Sequence, residues 1–189
     1  MIQIVDCRNN KNEELYQKLA LRNKMESGDV VRKVSEIIDN IRSNGDTALF
    51  EYTKTFDRAE LTRDSVKVSK EEINAAYGCV DAKLVDTIRR AKLNIEKFHE
   101  KQKENSWFST EQNGVLLGQL YRPLEVIGVY VPGGTAALAS SVLMNIIPAR
   151  VAGVGRIVMA TPPGRDGNIN PAVLVAANEA GAHEIYKMG

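Results

Sequence analysis

Cysteine, histidine and tryptophan are scarce in this chain, with two, two and one copies, and no proline occurs before residue 123. Cys7 and Cys79 are too few and too isolated for a disulfide framework or a cysteine-based metal centre. A reducing, cytoplasmic setting is the expectation. Neither sign of charge dominates, since 25 basic residues meet 24 acidic ones for a net charge of +1. That balance removes the usual argument for nucleic-acid binding, a strongly basic domain, and the argument for a polybasic membrane anchor. No apolar run approaches the ~18 residues of a membrane span. The start, Met1-Ile2-Gln3-Ile4-Val5-Asp6, has neither the basic nor the apolar region of a signal peptide. No repeat or low-complexity tract is visible. What is there is an ordinary globular composition, 43% hydrophobic and 26% charged over 189 residues. That length suits one domain or two small ones.

The chain divides in composition near Asn113-Gly114. Residues 114–189 hold only nine of the 49 charged residues, but 11 of the 14 glycines and all six prolines. The charge-rich stretch 1–113 reads as surface helices, and 114–189 as buried strands joined by tight loops. Val30, Val34, Ile37, Ile38 and Ile41 form one helical stripe, with Asp29 to cap its start and Gly45 to end it. Asp46 opens a second helix carrying Leu49, Tyr52 and Phe56. Ser69 and Glu72 fit a capping box. Leu84, Ile88, Ala91, Ile95 and Phe98 mark a long helix from about Asp81 to Lys103. Asn113-Gly114, between Trp107-Phe108 and Val115-Leu116-Leu117, predicts a two-residue hairpin turn.

From there strand and helix alternate. Val126–Val131 reads as a buried strand broken by Pro132-Gly133-Gly134. Thr135–Val151 reads as a buried helix that Pro148 kinks or restarts. Arg156–Ala160 is a second strand and Thr161–Asn170 a loop. Pro171 opens a helix closed by Gly181, and Glu184–Tyr186 is a third strand. Strand, helix, strand, helix, strand implies a parallel, doubly wound α/β sheet with right-handed crossovers. Ligands on such sheets bind beyond the carboxyl ends of the strands.

Candidate functional residues follow from that rule. Pro132-Gly133-Gly134-Thr135 joins a strand end to a helix start, where free N–H groups and the helix dipole favour an anion. Glycines there serve equally a tight turn with positive φ. The loop is neither G-x-G-x-x-G nor a Walker A loop. Tyr130 beside it can stack on a cofactor or simply pack. Ser140 and Ser141 have no visible base and no G-x-S-x-G around them. His99 and His183 lack partners at metal-ligand spacing. Asn145 either faces a pocket or caps a break at Pro148. No acid–base pair, metal cluster or activated nucleophile is legible.

The run from Arg122 to Ala136, RPLEVIGVYVPGGTA, resembles histidinol dehydrogenase, as do Ser141–Asn145, Ile147–Val154 and Thr161-Pro162-Pro163. Ser43–Leu49, Tyr52–Asp57, Val68-Ser69 with Glu71-Glu72-Ile73, and Asn94–His99 are similar to the family's earlier helices. The resemblance implies an N-terminal helical region followed by an incomplete Rossmann-like βαβαβ sheet of aldehyde-dehydrogenase-like architecture. It implies a zinc-dependent, NAD-linked homodimer that oxidises L-histidinol to L-histidine in histidine biosynthesis. By the same likeness Tyr130 contacts NAD, and Pro132, Gly133 and Gly134 lie on the same cofactor loop. Residues 114–189 would then be an NAD-binding half-domain. The family's zinc ligands, its Glu-His acid–base pair and most histidinol contacts fall beyond residue 189. The resemblance therefore makes this chain an N-terminal part, inactive alone. The alternative is a non-catalytic unit that self-associates or binds a nucleotide weakly.

Overall fold

The computed structural model describes residues 13–22, 27–133 and 138–189. The chain falls into two compact units, residues 1–48 and 49–189. In the first, α1 (Glu13–Arg22) precedes α2 (Ser27–Asn44). Gly45 ends α2, its N–H donating to the Ile41 carbonyl at 2.8 Å. Asp29 lies inside the first turn rather than ahead of it and meets Arg32 at 3.3 Å. A carboxylate there still faces the positive end of the helix dipole. The expected stripe on α2 is largely exposed at Val30, Val34 and Ile38.

The second unit holds nearly all of α3 (Asp46–Phe56), then α4 (Lys70–Gly78) and α5 (Ala82–His99), which ends in a short 3-10 turn. The Ser69 hydroxyl accepts from the Glu72 N–H, and the Glu72 carboxylate accepts from the Ser69 N–H at 2.8 Å, completing the capping box. Asp81 caps α5 through the Lys83 N–H.

Strands β1 (Trp107–Thr110) and β2 (Leu116–Gln119) form an antiparallel hairpin. Its turn is not the expected two-residue one. The Gly114 N–H donates to the Glu111 carbonyl, and the Glu111 N–H to the Val115 carbonyl. Asn113 therefore sits one position later in the turn, and Gly114, at φ +81°, follows it in the left-handed region. This is the three-residue class of hairpin loop.

Strands β3 (Val126–Tyr130), β4 (Arg156–Thr161) and β5 (Glu184–Lys187) make a parallel sheet in the order β3-β4-β5, linked by α6 (Ala139–Val151) and α7 (Pro171–Ala180). The α/β reading of this region holds. The double winding does not: a sequential order with right-handed crossovers puts both connecting helices on one face. On that face Val131, Ile157, Met159 and Ile185 are buried, with α6 against α7 and α5, and α4 against α7. On the other face Val126, Gly128 and Tyr130 are exposed. β3 is therefore half-exposed rather than a buried strand, because it is an edge strand with one face uncovered by the described residues. α6 runs through Pro148 to Val151 without restarting, and its described part begins at Ala139 rather than Thr135.

Beyond β5, residues 66–68 run antiparallel to the strand, with the Val68 N–H donating to the Ile185 carbonyl and the Lys187 N–H to that of Val66. Asn170 caps α7, Pro171 is its first residue, and Gly181 closes it at φ +92°.

Candidate functional site at the strand ends

The carboxyl ends of β3 and β4 open onto a cavity of about 950 Å³. Pro132 and Gly133 form one wall and Thr161–Asp166 another. The start of α7, the inner side of α4 and the last turn of α3 with Asp57 complete it. This is where the sheet topology alone places a ligand.

The strand-end loops approach one another closely. A Cβ on Gly133 would stand 2.5 Å from the Pro162 ring. Gly133 is thus required for space and not for a positive φ, which it does not adopt. Pro162 also lies against Gly189, where a Cβ would be 3.1 Å away, and that same Cβ would be 3.2 Å from both carboxylate oxygens of Asp57. Gly133, Pro162, Gly189 and Asp57 therefore meet at one point.

Three carboxylates line the cavity. Glu72 accepts from the Ser69 N–H with one oxygen and from the buried Lys187 ammonium with the other. Asp166 accepts from the Asn168 side chain at 2.9 Å and its backbone N–H at 3.1 Å. Those bonds hold its carboxyl below the usual range. Asp57 has no side-chain donor among the described residues, and burial pushes its carboxyl up. Arg58, next in sequence, adopts a left-handed φ of +59° as the chain leaves α3.

The structure brings Pro132 and Gly133 into the cavity. Gly134 lies outside the described residues. Tyr130, paired with Ala160 at the end of β3, is 54% exposed and stands on the uncovered face of the sheet, away from the cavity lining. Asn145 is exposed and donates to the Ser141 carbonyl within α6. Nδ1 of His183 accepts from the Ile157 N–H at 3.0 Å, a structural role between β4 and β5. Asp57 and the Glu72–Lys187 pair were missed from sequence. Asp57 closes the block Tyr52–Asp57, which carried a resemblance but no chemistry. Lys187 gives no signal, because a lysine at a strand end reads as solvated.

Comparison with known proteins decides the family. A family model for histidinol dehydrogenase matches residues 20–189. The chain belongs to the histidinol dehydrogenase family. It is 47% identical to histidinol dehydrogenase of Clostridium acetobutylicum over its whole length, covering 43% of that protein. It is 52% identical to that of Heliobacterium mobile over 165 residues, 87% of this chain and 39% of that one. The crystal structure of histidinol dehydrogenase from Elizabethkingia anophelis matches 87% of the chain with a TM-score of 0.81 at 45% identity, covering 38% of that structure's chain. The chain thus spans about two-fifths of the length of these histidinol dehydrogenases, and matches an N-terminal part of them.

Proposed function

We propose that this chain supplies the dinucleotide-binding part of an enzyme that oxidises L-histidinol to L-histidine with NAD, in the cytoplasm and as a homodimer. The observation that carries the reading is the cavity at the carboxyl ends of β3 and β4, in a chain of this family. Residues 114–189 act as the cofactor half-domain. Gly133 packs so closely on Pro162 that only a glycine fits there, and the Pro132-Gly133 backbone is offered to a pyrophosphate; Gly134, the next residue in the sequence, lies outside the described residues. Tyr130, exposed at the end of β3 on the face away from the cavity, offers its ring to a part of the cofactor that extends past the strand end rather than to the part inside the cavity. When bound, NAD supplies the hydride acceptor. This chain's residues bind and orient it.

Zinc is different. Among the described residues no three His, Cys, Asp or Glu side chains cluster to hold a metal ion. The donor set does not fit zinc, and no step is assigned to it.

The test is NAD titration into the purified, folded chain, followed by histidinol-dependent NAD reduction with zinc added. The expected result is binding without turnover, with binding weakened by Tyr130→Ala. Absence of NAD binding would sink the dinucleotide reading. Turnover would sink the assignment of the chemistry to residues outside this chain.

A second reading, self-association without chemistry, is favoured by the hairpin, where Trp107, Phe108, Leu116 and Leu117 are all exposed. A strictly monomeric chain over a wide concentration range would dispose of it.

A further inference from the structure

Asparagine followed by glycine occurs twice in the chain, at Asn44-Gly45 and Asn113-Gly114. Such a pair is chemically fragile, because glycine puts no side chain between its own amide nitrogen and the asparagine side-chain carbonyl before it. The fold treats the two pairs differently. Asn44 is the last residue of α2. Its side-chain N–H donates to Asn40 Oδ1 at 2.6 Å, one helical turn back, and the Gly45 N–H donates to the Ile41 carbonyl at 2.8 Å. The Asn44 amide is thereby drawn back along the helix, away from the nitrogen that would attack it.

Asn113 stands at the tip of the β1–β2 hairpin, where every residue from Glu111 to Leu120 is exposed. The Val115 N–H donates to Asn113 Oδ1 at 3.2 Å, so the side chain folds over the backbone that follows it. That bond keeps Cγ of Asn113 turned toward the Gly114–Val115 backbone. It also places a donor on the oxygen that becomes negative when Cγ is attacked, the arrangement that stabilises a tetrahedral oxyanion. The Gly114 N–H is tied only across the turn, to the Glu111 carbonyl at 3.0 Å. Water competes for such a bond at an exposed loop tip, and local opening there is cheap.

We propose that Asn113 is a site of spontaneous deamidation in the folded chain, and that the helix protects Asn44 from the same reaction. The Gly114 nitrogen gives up its proton to hydroxide and forms a bond to Asn113 Cγ. The bond from Cγ to the side-chain nitrogen breaks and ammonia leaves. The five-membered succinimide then takes up one water and opens at either carbonyl, to aspartate or to isoaspartate. Nothing is oxidised or reduced. The net change is loss of ammonia for gain of water, with one new negative charge two residues from Glu111. Isoaspartate also adds a carbon to the main chain between Glu111 and Val115, whose mutual hydrogen bond closes the hairpin.

The test is incubation of the full chain at mildly alkaline pH, in native buffer and in denaturing urea, followed by peptide mapping with mass spectrometry and enzymatic isoaspartate detection. In native buffer Asn113 should convert at least about tenfold faster than Asn44, because a loop tip opens more readily than a hydrogen-bonded helix end. In urea the two rates should converge. Gly114→Ala should suppress conversion at Asn113 and leave Asn44 unchanged in urea, with a thermal melt confirming that the variant folds. Equal native rates, faster conversion at Asn44, or an Asn113 that stays intact while the urea-treated chain converts would overturn the proposal. A difference that persists undiminished in urea would also overturn it, by assigning the selectivity to the flanking sequence and not to the fold.

Discussion

On one face of the β3-β4-β5 sheet, Val131, Ile157 and Met159 are wholly buried beneath a layer containing α6 and α7. On the other, Val126 and Tyr130 keep 52% and 54% of their surface. The strands are the same and their ladders are shared, so backbone hydrogen bonding does not distinguish the faces. Packing does. The covered face is held by apolar burial. The uncovered face is tied mainly by charge: the Glu184 carboxylate accepts from Lys67 at 2.9 Å, from the Tyr186 hydroxyl at 2.8 Å and from Arg156 Nε at 2.7 Å. Lys67 also lies 5.8 Å from the centre of the Tyr186 ring. A single sheet thus combines a mainly apolar side, whose one ion pair between Lys187 and Glu72 is buried from salt, with an exposed ionic side that salt screens.

The largest contrast comes from truncating one residue on each face. Ile157→Ala should cost about 4 kcal/mol, as it leaves a cavity at a fully buried position. Val126→Ala, on the exposed edge, should change stability by no more than about 0.5 kcal/mol. Denaturant midpoints of the two variants test the contrast, and equal losses would show the exposed face to be covered in solution. Next is the buried ion pair on the helix side of the sheet. The Lys187 side chain is 7% exposed, with Glu72 as its anion. Glu72→Gln keeps an N3 residue that suits the capping box but strands a buried cation, and should cost about 3 kcal/mol. If the loss is no larger than that of an exposed ion pair, Lys187 is solvated.

The sequence shows the helix-side face better than the exposed one, for a physical reason. Burial leaves apolar periodicity in the residues themselves, as at Leu84, Ile88 and Ala91 on α5, and capping leaves short polar signatures, as at Ser69 and Glu72. Strand order leaves none. The run Val126–Val131 looks uniformly apolar whether one or both faces are covered, so the single-sided winding was invisible. The hairpin turn was misplaced because Asn-Gly suits both the two-residue turn and the left-handed end of the three-residue one. At the site, Pro132 and Gly133 were legible because the strand-end rule points to them. Asp57 was not, because it reaches the cavity from a helix terminus more than 70 residues earlier in the chain, and only the fold places it there.

Two glycines refine the comparison at smaller scale. At Gly133 an added Cβ would collide with Pro162, whereas at Gly128, on the exposed face of β3, it would meet nothing within 4 Å. Gly133→Ala should cost about 2 kcal/mol through forced repacking. Gly128→Ala should stabilise by about 0.5 kcal/mol, since a strand glycine carries extra chain entropy in the unfolded state. Thermal melts of the two proteins should shift in opposite directions.

The smallest effect at neutral pH, and the one most specific to the uncovered face, belongs to Glu184. Lys67 first, then Tyr186 and Arg156, hold its carboxyl down from 4.5 to about 2. A depressed carboxyl stabilises the fold above the unfolded value and loses that contribution as pH falls through the folded one. The wild-type chain should therefore lose stability between about pH 4.5 and 2 on this account, and Glu184→Gln should flatten the profile in that window. Added salt should reduce the difference between the two proteins, because Lys67 and Arg156 are themselves more than half exposed. The reciprocal control is Ile157→Ala, which should lower the whole profile without changing its slope. An unchanged slope in Glu184→Gln would mean that the uncovered face does not depend on this carboxylate. The contrast between the faces would then reduce to apolar burial alone.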